Sequence, residues 1–362
     1  EANPEDMKGH DRIIRCRLIN NRMAGVPIEA SAIIAEPDGN SGLNIWCTTQ
    51  SPHGVQAAVA SALNIDSQLV RVRAPAVGGG FGAKAVVYPE FLVVAWLAFK
   101  MKKSVKWTET RSENLVNMAH GRDQIQDYEL GVTNSGKFLW LRAQVTANAG
   151  AYPVLGAFLP ALTMSMASGP YRIPVVDFSA CSVATNTTPT SAFRGAGRPE
   201  ATAALERVID LAAVELEIDP AEIRRRNFLQ PDEFPYRTPT GALMDTGEYE
   251  KSLDLALESS DYLKLREEQQ IRRQAGDRQL LGIGISSYVE VTAGGLYKEY
   301  GSVEVETDGT VIGRVGTASH GQGHVTAFTQ IICEVLGVTQ DKVTIIHGDT
   351  KEIPRGTGTM AS

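Results

Sequence analysis

The sequence predicts an α+β fold: two similar mixed α/β domains related by internal duplication, the second one truncated. Three observations carry that expectation. Short β patterns alternate with amphipathic helical patterns along the whole chain. A strand–turn–helix–strand passage occurs twice, each time with a glutamine at the turn, Gln50 and Gln322. A length of 362 residues exceeds what one ordinary core fills. In chain order the first domain is placed at 1–250, a helical linker at 251–278 and an incomplete second domain at 279–362.

Residues 1–46 alternate β patterns with turns, such as Ile28 to Ile34 and the Pro-Asp-Gly-Asn turn at 37–40. Leu43–Cys47 reads as a strand ending in Thr48-Thr-Gln-Ser-Pro-His53. From Val55 to Leu63 the residues Val55, Ala58, Val59 and Ala62 fall on one helical face. A strand at 69–73 runs into Ala76-Val-Gly-Gly-Gly-Phe-Gly-Ala-Lys84, and a helix is expected from about Pro89 to Lys102. Four glycines within five positions suit neither strand nor helix. They let the main chain approach another group closely and present N–H donors to oxygen atoms. A tight turn between two core elements is the plainer reading of the same glycines.

Tyr128–Val132 and Phe138–Thr146 flank the hairpin signal Asn134-Ser-Gly136. Irregular and β segments are expected between Pro160 and Gly195, ending in Thr190-Ser-Ala-Phe-Arg-Gly-Ala-Gly-Arg-Pro-Glu200. Pro199 marks a helix start, and Leu205, Val208, Ile209, Ala212 and Leu216 share one face of a helix to Ile218. Asp219-Pro-Ala-Glu222 caps another short helix, 228–250 reads as loop, and Lys251 to Gln274 as one charged helical stretch.

The second domain repeats the order of the first. Ser302–Glu306 and Val311–Val315 flank Asp308-Gly309, Ser319-His-Gly-Gln-Gly-His324 precedes a helix, and Val343–Ile346 is a strand. Gln50 lies 13 residues before Leu63 and Gln322 lies 14 before Leu336; seven residues then lead to Val70 and Val343. The pairing suggests two half-sites facing one ligand.

A formal net charge of −7 without long charge runs argues against nucleic acid and anionic membrane surfaces as partners. The longest apolar run, Phe91 to Phe99, is nine residues and too short to span a bilayer. Cys16, Cys47, Cys181 and Cys333 form no CxxC pair and fit buried thiols in a reducing compartment, so a cytoplasmic location is expected. The chain stops at Ser362 inside a Gly/Thr-rich loop, which reads as an internal fragment or one piece of a larger subunit.

Five loops could bear chemistry: Thr49-Gln50-Ser51, Gly78 to Lys84, Ala192 to Pro199, His320 to His324, and Arg355 to Ser362. They supply glycines, amides and hydroxyls, and no nucleophile–base–orienter set of a hydrolase. His320 and His324 have metal-ligand spacing only on a helix, and the two intervening glycines favour turn residues at a helix start. Backbone donors, amides and one arginine suit a large, anionic, oxygen-rich organic cofactor.

The strings TQSPH, VGGGFGAK, AFRGAGRPE, GQGH and PRGTGTMAS stand in the order and spacing of the xanthine oxidase family. These are molybdenum hydroxylases that include aldehyde oxidases, N-heterocycle hydroxylases and aerobic carbon monoxide dehydrogenases. Over essentially its whole length the chain resembles the molybdopterin-binding part of the large subunit, in pattern that of bacterial aldehyde oxidase and carbon monoxide dehydrogenase-like enzymes.

The resemblance implies roles. Gln50 matches the glutamine whose amide reaches an oxygen ligand of molybdenum, and Gly79, Gly80, Phe81 and Gly82 match the loop beside the metal. Phe193 and Arg194 match the active-site arginine motif, and Gly321, Gln322, Gly323 and His324 the loop that holds the pterin and its phosphates. Thr359, Ala361 and Ser362 match the start of a further cofactor-binding loop. Molybdenum is then held by the pterin and by no protein ligand. The implied cofactor is molybdopterin, by bacterial habit as the cytosine dinucleotide. The 2Fe-2S and FAD centres are expected on partner subunits or segments outside this chain. The implied reaction hydroxylates a small organic substrate, with water as oxygen source. Its general-base glutamate is expected beyond Ser362, and Glu90 and Glu200 are read as serving helix N-termini.

Departures from the family pattern narrow the substrate. Gly195 stands where carbon monoxide enzymes carry a copper-binding cysteine. Ala85 and Leu162 stand where purine hydroxylases place a glutamate and an arginine, and Ala196 where they place a stacking phenylalanine; Ser287 or Tyr288 lies near a second such aromatic. An aldehyde or an N-heteroaromatic is therefore expected. The alternatives are a carbon monoxide dehydrogenase-like enzyme, a non-catalytic cofactor-binding or assembly module, and an unrelated glycine-rich nucleotide-binding protein.

Overall fold

The computed structural model describes residues 4–39, 41–153, 155–291 and 298–360. In chain order come β1 Arg12–Asn20, β2 Met23–Ala24, β3 Ala32–Pro37, β4 Leu43–Cys47, α1 Pro52–Leu63 and β5 Val70–Arg73. Then follow α2 Pro89–Met101, β6 Val105–Thr108, α3 Arg111–Asn117, β7 His120–Gly121, β8 Gln124–Val132 and β9 Phe138–Gly150. Next are α4 Leu159–Ser165, β10 Val175–Ala184, α5 Arg198–Glu215, α6 Pro220–Arg225, β11 Tyr236–Arg237 and β12 Leu243–Met244. Last are α7 Tyr249–Ser259, α8 Tyr262–Gln274, β13 Gly301–Val305, β14 Val311–Val315, α9 His324–Leu336 and β15 Val343–Ile346. The chain is mixed α/β throughout.

Contacts divide it into two compact units that interleave along the sequence. The first takes Glu1–Met23, Arg122–Thr190 and Gly195–Glu290; the second takes Ala24–Gly121, Ser191–Arg194 and Val291–Ser362.

The first unit is built on a four-stranded sheet of order β1-β8-β9-β10. The turn at Asn134–Gly136 makes β8 and β9 the expected antiparallel pair, and β10 joins β9 in parallel. Leu205, Val208, Ile209 and Ala212 of α5 pack with Leu130, Leu141 and Ala143 of the sheet. Asp219 caps α6 as expected, its carboxylate accepting the Ala221 N–H at 2.8 Å. Arg224 on α6 is fully buried and donates to Glu206 and Asp210, each at 2.9 Å, while the Tyr171 hydroxyl donates to Glu206 at 2.6 Å.

The second unit holds a sheet of order β5-β4-β3-β6 and a three-stranded sheet of order β13-β14-β15. β3 and β4 are antiparallel, and α1 carries the chain over to β5, which lies parallel to β4. Val55 and Val59 of α1 and Phe91, Val94 and Ala98 of α2 bury against Ile33, Ile45 and Val72. In the smaller sheet β13 and β14 are antiparallel, and α9 leads to β15, parallel to β14. The open edge of β5 is closed by 348–350: Ala74 N–H donates to the Gly348 carbonyl at 2.8 Å and Thr350 N–H to that of Val72 at 3.0 Å.

Four local expectations need correction. The β pattern from Ile28 becomes a strand only at Ala32, since Ile28 is 97% exposed and has no core to face. The charged stretch to Gln274 is two helices, broken at Asp261, whose φ of 51° lies in the left-handed region. Residues 160–165, at the start of the segment read as irregular and β, belong to α4. Of the thiols expected to be buried, only Cys47 is fully so, and its pKa is pushed up to about 12 by that burial. Cys181 is exposed, in the half of β10 where residues on both faces stay open to solvent. Among the described residues no helix is long and apolar enough to cross a membrane.

Candidate functional site

Gln50 leaves the end of β4 two residues before α1 and is 2% exposed. Its main-chain and side-chain amide groups all bond to other loops. Its N–H donates to the Lys84 carbonyl at 2.9 Å, and its carbonyl accepts the Thr359 N–H at 3.0 Å. Its side-chain oxygen accepts the Gly82 N–H at 2.8 Å, and its side-chain nitrogen donates to the Thr359 carbonyl at 2.8 Å. Donor and acceptor neighbours thus fix which end of the amide faces which loop. Three sequence-predicted segments meet here: Gln50, the glycine loop and Thr359.

The glycines of 78–82 have separate reasons. A Cβ on Gly80 would lie 2.5 Å from the Gln50 side-chain oxygen. Gly82 has φ +92°, and a Cβ there would lie 2.7 Å from the Ala192 carbonyl oxygen. Between them Phe81 adopts φ 56°, a left-handed conformation rare for an aromatic residue, and stays 38% exposed. Its carbonyl accepts the Arg194 N–H at 2.9 Å, and the Arg194 guanidinium lies 5.8 Å from its ring centroid, within cation–π reach. Phe193 packs so closely over Gly121 that a Cβ there would lie 2.3 Å from its own.

A clasp below the loop was missed from sequence. Glu29 accepts the Gly78 N–H at 2.7 Å and the Lys84 ammonium at 3.2 Å, both on one oxygen, so it holds the two ends of the loop together. Lys84 is 1% exposed, and burial lowers its pKa against the opposing pull of Glu29. The signal was present in Lys84 itself, since a buried lysine requires an acid.

Thr359 also donates from its hydroxyl to the Ala318 carbonyl at 2.5 Å, which brings the loop before α9 to the same place. Burial lowers the pKa of His320, against an opposing influence of the Thr359 backbone. Gln322 is exposed and folds back on its own loop, accepting the His320 N–H at 2.8 Å. Gly323 is the N-cap of α9 at φ 77° with no side-chain cap, and a Cβ on Gly321 or Gly323 would meet nothing within 4 Å. The first turn of α9 therefore presents uncapped N–H groups to open space. His324 begins that turn with its Nδ1 sheltered and unpartnered among the described residues. Burial first, then the charge of His347, lowers its pKa. No group of three or more His, Cys, Asp or Glu side chains among the described residues could hold a metal.

The remaining predicted positions fall elsewhere. Gly195 and Ala196 belong to the first unit, as does Glu200, which sits in the first turn of α5 and also pairs with Arg122 at 3.4 Å. Ala361 and Ser362 lie outside the described residues.

A family profile described as molybdopterin cofactor-binding domain matches residues 3–228, and a second profile of the same description matches residues 255–362. The chain is 34% identical over 360 residues to the 6-hydroxypseudooxynicotine dehydrogenase complex subunit gamma of Paenarthrobacter nicotinovorans, covering 97% of this chain and 45% of that one. It is 34% identical over 361 residues to the carbon monoxide dehydrogenase large chain of Afipia carboxidovorans, covering 94% and 45%. The solved quinoline 2-oxidoreductase of Pseudomonas putida 86 superimposes with a TM-score of 0.93 at 32% identity, over 99% of this chain and 47% of that one. The chain thus spans about half the length of the relatives it matches.

Proposed function

The chain belongs to the xanthine oxidase family, within its molybdenum-binding large subunit, and from that premise we propose that it is the molybdopterin-binding part of a molybdenum hydroxylase acting on an aldehyde or an N-heteroaromatic carbon. The observation that carries the reading is the junction at Gln50, where the loops of Gly82 and Thr359 close on one buried amide.

The residues present fit a large anionic organic cofactor. The uncapped first turn of α9, flanked by the open glycines Gly321 and Gly323, supplies N–H donors for phosphate. Gln322 and His324 border it, and Thr359 continues the cradle, with Ala361 and Ser362 as its expected extension. Gly80 and Phe81 offer main-chain donors on one side, Gly79 and Gly82 shape the loop with their N–H groups bonded to the Val77 carbonyl and to Gln50, and Phe193 with Arg194 closes the loop from the other side. When bound, the cofactor supplies oxygen transfer from water to an electron-poor carbon and uptake of two electrons. Gln50 orients through its fixed amide, Phe81 excludes water with its exposed ring, and Arg194 holds negative charge. The general base is a glutamate outside this chain.

Substrate class follows from what is missing. Gly195 has φ +98°, and a Cβ there would lie 2.3 Å from the Pro199 ring, so a copper-binding side chain has no room without rearrangement. That favours hydroxylation over the carbon monoxide chemistry named for one relative. Ala85 and Leu162 carry no charge to clamp a purine.

We also read the chain as internally duplicated. In support, β3-β4-α1-β5 and β13-β14-α9-β15 share an order of antiparallel pair, helix and parallel strand, and a 3-10 turn precedes both β5 and β15 (Ser67–Leu69 and Gln340–Lys342). The division of the sequence at 250 and 279 is kept with it. The cytosine dinucleotide form, iron–sulfur and flavin partners and a cytoplasmic location complete the proposal.

The test is turnover in water enriched with oxygen-18, using the native complex and a panel of aldehydes and azaarenes. Label in the hydroxylated product supports the reading; product oxygen drawn from dioxygen, or no product from any of the panel, contradicts it.

A further inference from the structure

Residues 281–290 belong to no helix or strand, yet their burial alternates as it does along a strand. Leu281, Ile283, Ile285, Ser287 and Val289 are half-buried, whereas Gly282, Gly284, Ser286, Tyr288 and Glu290 are exposed, a strict period of two. Ile283 and Ile285 pack on the core of the first unit, and Val289 on the cluster around Met166 and Leu229. Yet the segment takes part in no β-pairing.

In an extended chain the N–H and C=O of one residue leave by one edge and those of the next by the other. Three main-chain groups on the odd-numbered edge are taken up by side chains. The Leu281 carbonyl accepts from Gln269 at 2.9 Å, the Ile285 carbonyl accepts from Arg224 at 2.8 Å, and the Ser287 N–H donates to Glu206 at 2.9 Å. The even-numbered edge has no such closure: among the described residues, the main-chain groups of Gly282, Gly284, Ser286, Tyr288 and Glu290 have no partner. A row of open donors and acceptors on a segment held at three points by its other edge is a template for strand addition. Two glycines and a serine on that row leave room for a second backbone at the usual strand spacing of about 4.8 Å.

We propose that this even-numbered edge receives a β-strand from the other half of the large subunit. The occupant is argued from length: the matched relatives carry more than half of their chains outside the region that this sequence spans. The proposal rests on membership of the family, not on the cofactor roles assigned above.

The test is residue-resolved hydrogen exchange on the native complex, with molybdenum content read on the same sample. Amides of Gly282, Gly284, Ser286 and Tyr288 exchanging at least about 100-fold slower than unstructured peptide would support the pairing. Exchange at peptide rates would overturn it. Protection seen only where two copies of this chain associate, by native mass spectrometry, would overturn it in favour of an edge-to-edge dimer. Ser286→Pro, which removes one even-edge N–H and spares the odd edge, should release that protection locally. A protected edge in a sample without molybdenum would leave this inference standing and count against the cofactor reading alone.

Discussion

The side-chain nitrogen of Gln50 donates to the carbonyl oxygen of Thr359 at 2.8 Å, joining two loops 309 residues apart in sequence. Together with the Gly82 N–H on its oxygen, this makes the amide a three-way tie. Gln50→Ala leaves a part-buried donor and a part-buried acceptor unpaired, at about 1–3 kcal/mol each as an upper range. The expected result is a loss of about 100-fold or more in kcat with reduced molybdenum per polypeptide, measured by steady-state kinetics and elemental analysis. Gln50→Glu keeps the shape but turns a carboxylate oxygen toward the Thr359 carbonyl, and should fare no better.

Gly80→Ala attacks the same tie from the other side. Its Cβ would lie 2.5 Å from the Gln50 side-chain oxygen, so the amide must move. Thermal unfolding should show a loss of about 1–3 kcal/mol, and activity should fall with it.

Arg194→Ala separates holding from reacting. Its main-chain N–H to the Phe81 carbonyl survives the substitution, so the loop stays in place. Molybdenum content should be unchanged while kcat/KM drops by about 10²–10³-fold. Equal loss of metal and turnover would place the side chain in cofactor retention instead.

Much of this was legible in the sequence because the signals are local. Proline at a first helical turn marked α5, the spacing of Val55, Ala58, Val59 and Ala62 marked α1, Asn134-Ser-Gly136 marked the β8–β9 hairpin, and clustered glycines marked the loop of Phe81. The Thr110–Glu113 capping box of α3 was equally readable and was overlooked. What stayed hidden is non-local. Nothing near Lys84 names Glu29 as its acid, and nothing near Gln50 names Thr359 as its acceptor. Interleaving of the two compact units is hidden for the same reason, since it depends on contacts between distant segments. Gln50 and Gln322 look alike in sequence, yet one is buried and the other exposed.

Acid should weaken the fold in two windows. His320, His324 and His347 all have pKa values lowered by burial, so below 6.5 the unfolded chain binds protons more readily and stability falls with pH. Asp349 follows at lower pH. Burial alone would raise its pKa, but hydrogen bonds from Arg71 and the Lys351 N–H, with the charges of Arg71 and Arg73, bring it below 3.8. A depressed carboxyl stabilises above its unfolded value and loses that contribution as pH falls through the folded one. Denaturant unfolding from pH 7 to 3 should show both declines, and Asp349→Asn should flatten only the second.

The central claim is a molybdenum cofactor held by these loops. Molybdenum and copper per polypeptide, measured together by elemental mass spectrometry on the native complex, test it most directly. The account predicts about one molybdenum and no copper, in keeping with two molybdopterin cofactor-binding matches and glycine at 195. An intact complex without molybdenum would contradict it, and stoichiometric copper would contradict the reading of Gly195.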